Sequence, residues 1–137
     1  MFHVEQNCAN EIVALLLPAD LHPRGLAEKL QTNHMTITRK LSILVSENIV
    51  DYRTEGKNNV YFLKKSIEGK NAAMIAELYK QSRIVSNYPI FRGIFQAIQE
   101  KQEIPLALLY GSYAKGLQNK ESDIDIYIET LNKDLKK

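Results

Sequence analysis

Cysteine is almost absent from this chain: Cys8 is the only one, so no intrachain disulfide can form and no cysteine-based metal cage is available. That usage fits a small apolar residue in a reducing compartment. Three histidines, His3, His22 and His34, lie apart with no metal-ligand spacing, which leaves them as surface or capping residues. Long apolar runs are lacking as well. The longest near the start, Ile12 to Leu17, is far short of the roughly 20 residues a membrane span needs. Glu11 and Asp20 flank it where a secretory signal would be basic. The expectation is a soluble, cytoplasmic protein with no membrane role. A strong surplus of one charge is missing too. The net charge of +2 cannot by itself argue for nucleic acid, so any such case rests on local clustering. There is no internal repeat and no low-complexity tract.

What is present is ordinary globular composition: 137 residues, 45% hydrophobic and 25% charged, enough for one domain or two small ones. Periodicity divides the chain into residues 1–65, a helical connector over 66–87, and residues 88–137. In the first part, Ile12, Val13, Leu15 and Leu16 give a helical pattern that Pro18 ends. His22-Pro23 starts a second helix, since proline at the first helical position sacrifices no hydrogen bond. Leu26, Ala27 and Leu30 form its buried face. Thr32 or Asn33 caps a third helix running to about Asn48, with Ile37, Leu41, Ile43, Leu44 and Val45 as one apolar stripe. Ile49–Arg53 and Val60–Leu63 read as strands joined by a turn-rich segment over residues 54–59, which makes a hairpin.

Helix, helix, helix, hairpin resembles a winged helix-turn-helix domain, and Thr36–Leu44 followed by Asn48-Ile49-Val50 is similar to the recognition helix of prokaryotic winged-helix regulators. The chemistry agrees independently. A recognition helix buries one side and offers hydroxyl, amide and guanidinium groups on the other, where base edges and phosphates lie. With the stripe inward, Asn33, His34, Thr36, Arg39 and Lys40 are spare. Over residues 31–65, six basic residues (Arg39, Lys40, Arg53, Lys57, Lys64 and Lys65) face three acidic ones, Glu47, Asp51 and Glu55, a local surplus of three. Arg53 belongs to the hairpin, and Lys57 and Asn58 at its tip are placed to meet phosphate or the minor groove. Duplex DNA is the expected partner. Winged helices also serve as protein-interaction modules, which is the competing reading.

The connector places Ala72, Ala73, Ile75, Ala76, Leu78 and Tyr79 at helical spacing. A stripe this long packs on a partner chain or on its own domain. With the open edge of a small sheet, it implies a homodimer. Beyond it, Ile90, Phe91, Ile94, Phe95, Ala97 and Ile98 share a helical face that ends before Pro105. Leu106–Tyr110 reads as a short buried strand, and Ile124–Ile128 as a second.

Between those strands lies the chemistry. Gly111 lets the backbone approach a phosphate closely, and Ser112 offers a hydroxyl and an N–H to its oxygens. Gly116 permits the positive φ that leaves the turn. Asp123 and Asp125, at i and i+2 on a strand, bring two carboxylates to one face about 7 Å apart. Paired hard oxygen ligands suit Mg²⁺ on a triphosphate. The run Gly111-Ser112-x-Ala114-x-Gly116 followed by Ser122-Asp123-x-Asp125 resembles the DNA polymerase beta-like nucleotidyltransferase superfamily, and most closely its minimal bacterial and archaeal members. The resemblance implies that Gly111 and Ser112 hold the nucleotide's terminal phosphates, with Lys115 and Gly116 completing the nucleotide-binding turn. Asp123 and Asp125 become the catalytic, Mg²⁺-ligating pair. Lys115 stands where many members carry arginine, which keeps the charge.

The implied fold is α+β: an N-terminal winged helix-turn-helix plus a partial polymerase-beta-like nucleotidyltransferase domain. Members usually carry a third carboxylate on a further strand beyond a helix, and the eight residues after Glu129 leave no room for both. Glu129 shares the face of the aspartates but lies ~13 Å along the strand from Asp125, and Asp134 sits in a polar tail read as the start of a helix. Weak Mg²⁺–nucleotide binding with little or no turnover is therefore the expectation. Two function classes follow. One is an enzyme transferring a nucleoside monophosphate from an NTP to a hydroxyl acceptor. The other is a catalytically silent regulator or antitoxin-type protein, for which the resemblance suggests a helical toxin-like partner.

Overall fold

The computed structural model describes residues 2–131, with side chains from Cys8 onward. Asp134 and the expected C-terminal helix lie outside the described residues. The chain divides into two compact units between Ile84 and Val85.

The first unit runs α1 (Phe2–Leu16), α2 (Pro23–Lys29), α3 (His34–Ser46), β1 (Val50–Glu55), β2 (Asn58–Leu63) and most of α4 (Ile67–Asn87). Proline opens α2 in its first turn, and the Asn33 side chain caps α3 by accepting from the Met35 N–H at 2.7 Å. Both helices close in the same way. Gln31 and Asn48 adopt left-handed φ of 51° and 62°. The bonds Thr32 N–H to Ala27 O and Ile49 N–H to Leu44 O then satisfy carbonyls of the last turn.

The core of this unit gathers Ile12, Val13 and Leu16 from α1, Leu26 and Ala27 from α2, Ile37, Leu41 and Leu44 from α3, Val50, Tyr61, and Ala76 from α4. The third-helix stripe differs from its sequence reading in one residue. Ile43 is exposed, because at 100° per residue it falls well away from the row 37–41–44. The hairpin pairs antiparallel from Val50↔Leu63 to Glu55↔Asn58, so its loop is only Gly56-Lys57 and Asn58 opens β2. A third strand fragment joins it: Leu21 and Tyr61 exchange backbone hydrogen bonds of 3.1 and 2.9 Å. That bridge fixes the α1–α2 connection to the wing. A single paired residue has no periodicity and could not be read from the sequence.

Helix α4 leaves the wing through a hydrogen-bonded joint. Ser66 Oγ donates to the Asn48 carbonyl and accepts from the Gly69 N–H, while Asn48 Nδ2 donates to Glu68. Ala76 and the half-buried Ala72 then pack on the first unit's core. The Tyr79 hydroxyl and Arg83 both donate to Glu11 of α1. Burial, reinforced by that carboxylate, pushes the Tyr79 phenol above its ordinary range. The other side of α4 carries Ile67, Met74, Ile75 and Leu78 in the open. The connector stripe is thus two faces: one covered by its own unit, one bare.

In the second unit α5 (Ile90–Gln99) is followed by β3 (Leu106–Tyr110), a short α6 (Gly111–Lys115) and β4 (Asp125–Glu129). Phe91 is fully buried, while Ile90 and Ala97 are exposed and lie off the buried face. The two strands are antiparallel, from Leu106↔Glu129 to Tyr110↔Asp125. β3 is not the buried strand its composition suggested. Ala107 and Leu109 are half-buried, whereas Leu106, Leu108 and Tyr110 are exposed. A two-stranded sheet covered on one face alternates in this way however apolar its sequence.

Candidate functional site

The turn after β3 is built around a close approach. Tyr110, the last residue of β3, is the cross-strand partner of Asp125, the first of β4. Gly111 follows with φ of 74°, and a Cβ there would run into the Asp125 carboxylate. Glycine is therefore demanded twice at this position, by the left-handed backbone and by the carboxylate beside it. Gly111 also opens α6, whose first amides lack partners within the helix. The structure brings Gly111, Ser112 and Asp125 together at one end of the sheet.

Asp123 is exposed and sits two residues before β4 begins its pairing, so only the second aspartate is on the strand proper. The loop delivering it is folded by its own side chains. Ser122 Oγ accepts from the Asn119 N–H at 2.8 Å, and Asn119 Oδ1 accepts from the Glu121 N–H at 2.9 Å. Gly116 ends α6 with φ of 70°, and Leu117 N–H bonds Ser112 O at 2.9 Å. Its backbone role is thus chain reversal. Lys115 is exposed in the last turn of α6.

Sequence reasoning missed what anchors this turn. Tyr113, an unspecified position inside the glycine motif, packs edge-on against Tyr88 and Phe91 with ring centroids 5.3 and 5.2 Å away. Gln118 donates through Nε2 to the Tyr88 hydroxyl. α6 is therefore pinned to the residues around α5. The signal available was the aromatic pair Tyr88 and Phe91 ahead of a motif containing a third ring.

In the first unit, the outward face of α3 presents Met35, Arg39, Ser42 and Ile43, with the half-buried Thr36 beside them. Of the residues expected to meet DNA, His34, Arg39, Lys57 and Asn58 are exposed, and Lys40 is half-buried. Asn33 has committed its carbonyl oxygen to the helix cap. Arg53 is held by two carboxylates, donating to Asp20 and to Glu55 at 2.7 Å each. Asp20 first, then Glu55, keeps its guanidinium above the usual range. Met35 and Ile43 were not foreseen on this face, and a helical wheel centred on Ile37 and Leu41 places them there. Among the described residues, no three His, Cys, Asp or Glu side chains gather as a metal cage, and no helix is long and apolar enough to cross a membrane.

Residues 93–137 match the family described as Polymerase beta, Nucleotidyltransferase. Among solved structures, the chain is similar to the adhesin competence repressor AdcR from Streptococcus pyogenes, with a TM-score of 0.53 at 17% identity, over 61% of this chain and 63% of that one. HlyU from Vibrio cholerae, in its reduced form, is matched at 20% identity and a TM-score of 0.46, covering 59% of this chain and 76% of that one. The homodimeric winged helix-turn-helix DNA-binding domain of Mb0332 from Mycobacterium bovis is matched at 21% identity and 0.45, covering 61% and 71%. No curated protein matches the chain. The likeness to AdcR is one of fold. The protein is α+β, with a unit of winged helix-turn-helix architecture followed by a unit in which residues 93–137 match the nucleotidyltransferase family model.

The Gly111–Asp125 approach has a direct consequence for stability. Gly111→Ala is expected to destabilise the second unit by about 1–3 kcal/mol, through strain at positive φ and displacement of Asp125. Gly93→Ala in α5, where an added Cβ meets nothing within 4 Å, is expected to stabilise the same unit by up to ~1 kcal/mol. Hydrogen exchange resolved by unit reads both, and equal effects of the two substitutions would contradict the close approach.

Proposed function

We propose that this chain is a cytoplasmic DNA-binding protein whose second unit binds Mg²⁺–NTP, with transfer of a nucleoside monophosphate to a hydroxyl acceptor as the chemistry the site suits. The observation that carries the reading is the Gly111–Asp125 approach. It sets a glycine-serine turn and a carboxylate against each other at the mouth of a strand pair. A hard, oxygen-only donor set beside a cleared backbone fits Mg²⁺. Asp123 and Asp125 would hold the ion, which supplies charge neutralisation on the phosphates. Ser112 and the first amides of α6 would bind the terminal phosphates, and Lys115 adds positive charge at the far end of that turn. In the transfer, the acceptor hydroxyl oxygen bonds to the α-phosphorus, pyrophosphate departs, and the hydroxyl proton is released.

The winged-helix unit supplies DNA binding in this reading. Arg39 stands in the middle of the exposed face of α3, and Lys57 and Asn58 stand at the wing tip. Met35 and Ile43 add apolar surface suited to thymine methyl groups in a major groove. The two activities occupy separate units and separate on mutation. Asp123→Asn with Asp125→Asn is expected to abolish Mg²⁺-dependent NTP binding in calorimetry and leave duplex DNA binding unchanged. Arg39→Ala with Lys40→Ala is expected to do the reverse, lowering the log–log salt slope of DNA binding by roughly two. Unchanged DNA binding in that second variant would assign the winged helix to protein contacts instead.

We also infer a homodimer, formed through the bare face of α4. Ile67, Met74 and Leu78 are spaced seven and four apart, and Ile75 adjoins them, all exposed along a 21-residue helix. Apolar residues at this spacing make a seam that a second copy of the same helix fills, and a two-fold axis makes one seam serve both chains. Met74→Glu with Leu78→Glu should halve the mass measured by light scattering at tens of micromolar, with circular dichroism unchanged. A wild-type chain already monomeric at that concentration would rule the seam out.

A further inference from the structure

We propose that the open face of the β3–β4 sheet is a nucleobase platform, with Tyr127 and Tyr110 as the residues on which the base stacks. This inference rests on the Mg²⁺–NTP reading of the adjoining turn. Directly opposed residues of an antiparallel pair share a face, as do residues two apart on one strand. The register Leu106↔Glu129, Leu108↔Tyr127 and Tyr110↔Asp125 therefore puts all six side chains on one side. That side is open: Leu108 is 50% exposed, Tyr110 54% and Tyr127 53%. On the opposite side Ala107, Leu109 and Ile126 are half-buried, and only Ile128, at the end distant from the turn, is exposed.

The position of Asp125 decides what this face is for. Its carboxylate lies directly across from Tyr110 and about 7 Å along the strand from Tyr127. A nucleotide is bipolar in the same way, with anionic phosphates at one end and a flat, largely apolar base at the other. Phosphates held at Gly111, Ser112 and the aspartates leave the base within reach of the tyrosine rings, roughly one sugar away. The apolar surface is continuous with the ion site and aromatic where it adjoins it. Leu108, opposite Tyr127, extends it. Besides Asp125, the charged side chain on this face is Glu129, at the end distant from the turn. The platform thus offers rings with no charged or amide group beside them beyond Asp125 to read base edges, so it takes ATP, GTP, CTP and UTP alike. Stacking of this kind is tolerant of base identity because every base has a π-face.

The test compares two ligands on the full chain: Mg²⁺ with a non-hydrolysable ATP analogue, and Mg²⁺ with inorganic tripolyphosphate, which has no base. Tyr127→Ala and Tyr110→Ala are each expected to weaken the nucleotide about tenfold or more, leaving tripolyphosphate unchanged. Tyr127→Phe, which keeps the ring, retains wild-type binding of both. Asp125→Asn loses both. The platform is overturned if the alanine variants leave the ratio of the two affinities as it is in the wild type, which would make the face a protein-contact surface. It is also overturned if those variants lose both ligands together, which would make the tyrosines structural. If wild-type protein binds neither ligand, the Mg²⁺–NTP reading itself is wrong and the platform goes with it.

Discussion

The carboxylate of Asp125 stands where a side chain on residue 111 would begin. Much of the second unit answers to that single approach. It sets the register of the strand pair, since Tyr110 must end β3 opposite Asp125. It requires glycine at 111 and lets the chain turn sharply into α6. It also obliges α6 to be anchored from behind, which Tyr113 does against Tyr88 and Phe91. A glycine-serine turn set against an acidic side chain is the product of this packing, and the proposed chemistry starts from it.

The first unit obeys a different constraint. Its helices are short, and each must end where the next can pack, so left-handed residues close both α2 and α3. Asn48 does three things at one position: it ends α3, accepts from Ser66 and donates to Glu68. The outward face of α3 and the wing are thereby set on one frame with the start of α4. Electrostatics are tempered on that frame. Arg53, on β1 opposite Val60, is held by Asp20 and Glu55, whereas Arg39 on α3 and Lys57 at the wing tip are exposed.

Helices were legible in the sequence because period and punctuation agreed. Pro23 and Asn33 mark starts, and Ile37, Leu41 and Leu44 mark one row. Burial is less legible, because apolar composition does not fix which face is covered. Ile43, Ile90 and Ala97 are apolar but off the buried row, and Leu106, Leu108 and Tyr110 are apolar but on the uncovered face of a two-stranded sheet. The Leu21–Tyr61 bridge was illegible since one pair carries no pattern. Of the candidate site, the order of glycine, serine and aspartates was visible as a motif. Its physical logic, the carboxylate filling the space of a missing Cβ, was not, because it depends on cross-strand register. The same register hid the alignment of Tyr110 with Asp125, whereas Tyr127 shares that face by simple alternation along β4.

The most direct measurement is an amide NMR titration of the full chain with a non-hydrolysable NTP, run with and without Mg²⁺. The expected result is a cluster of shifted amides at Gly111, Ser112 and Asp123–Asp125 that appears only when Mg²⁺ is present, with the amides of α3 and the wing unmoved. Shifts of equal size without Mg²⁺, or shifts confined to the first unit, would contradict a metal–nucleotide site at the Gly111–Asp125 approach.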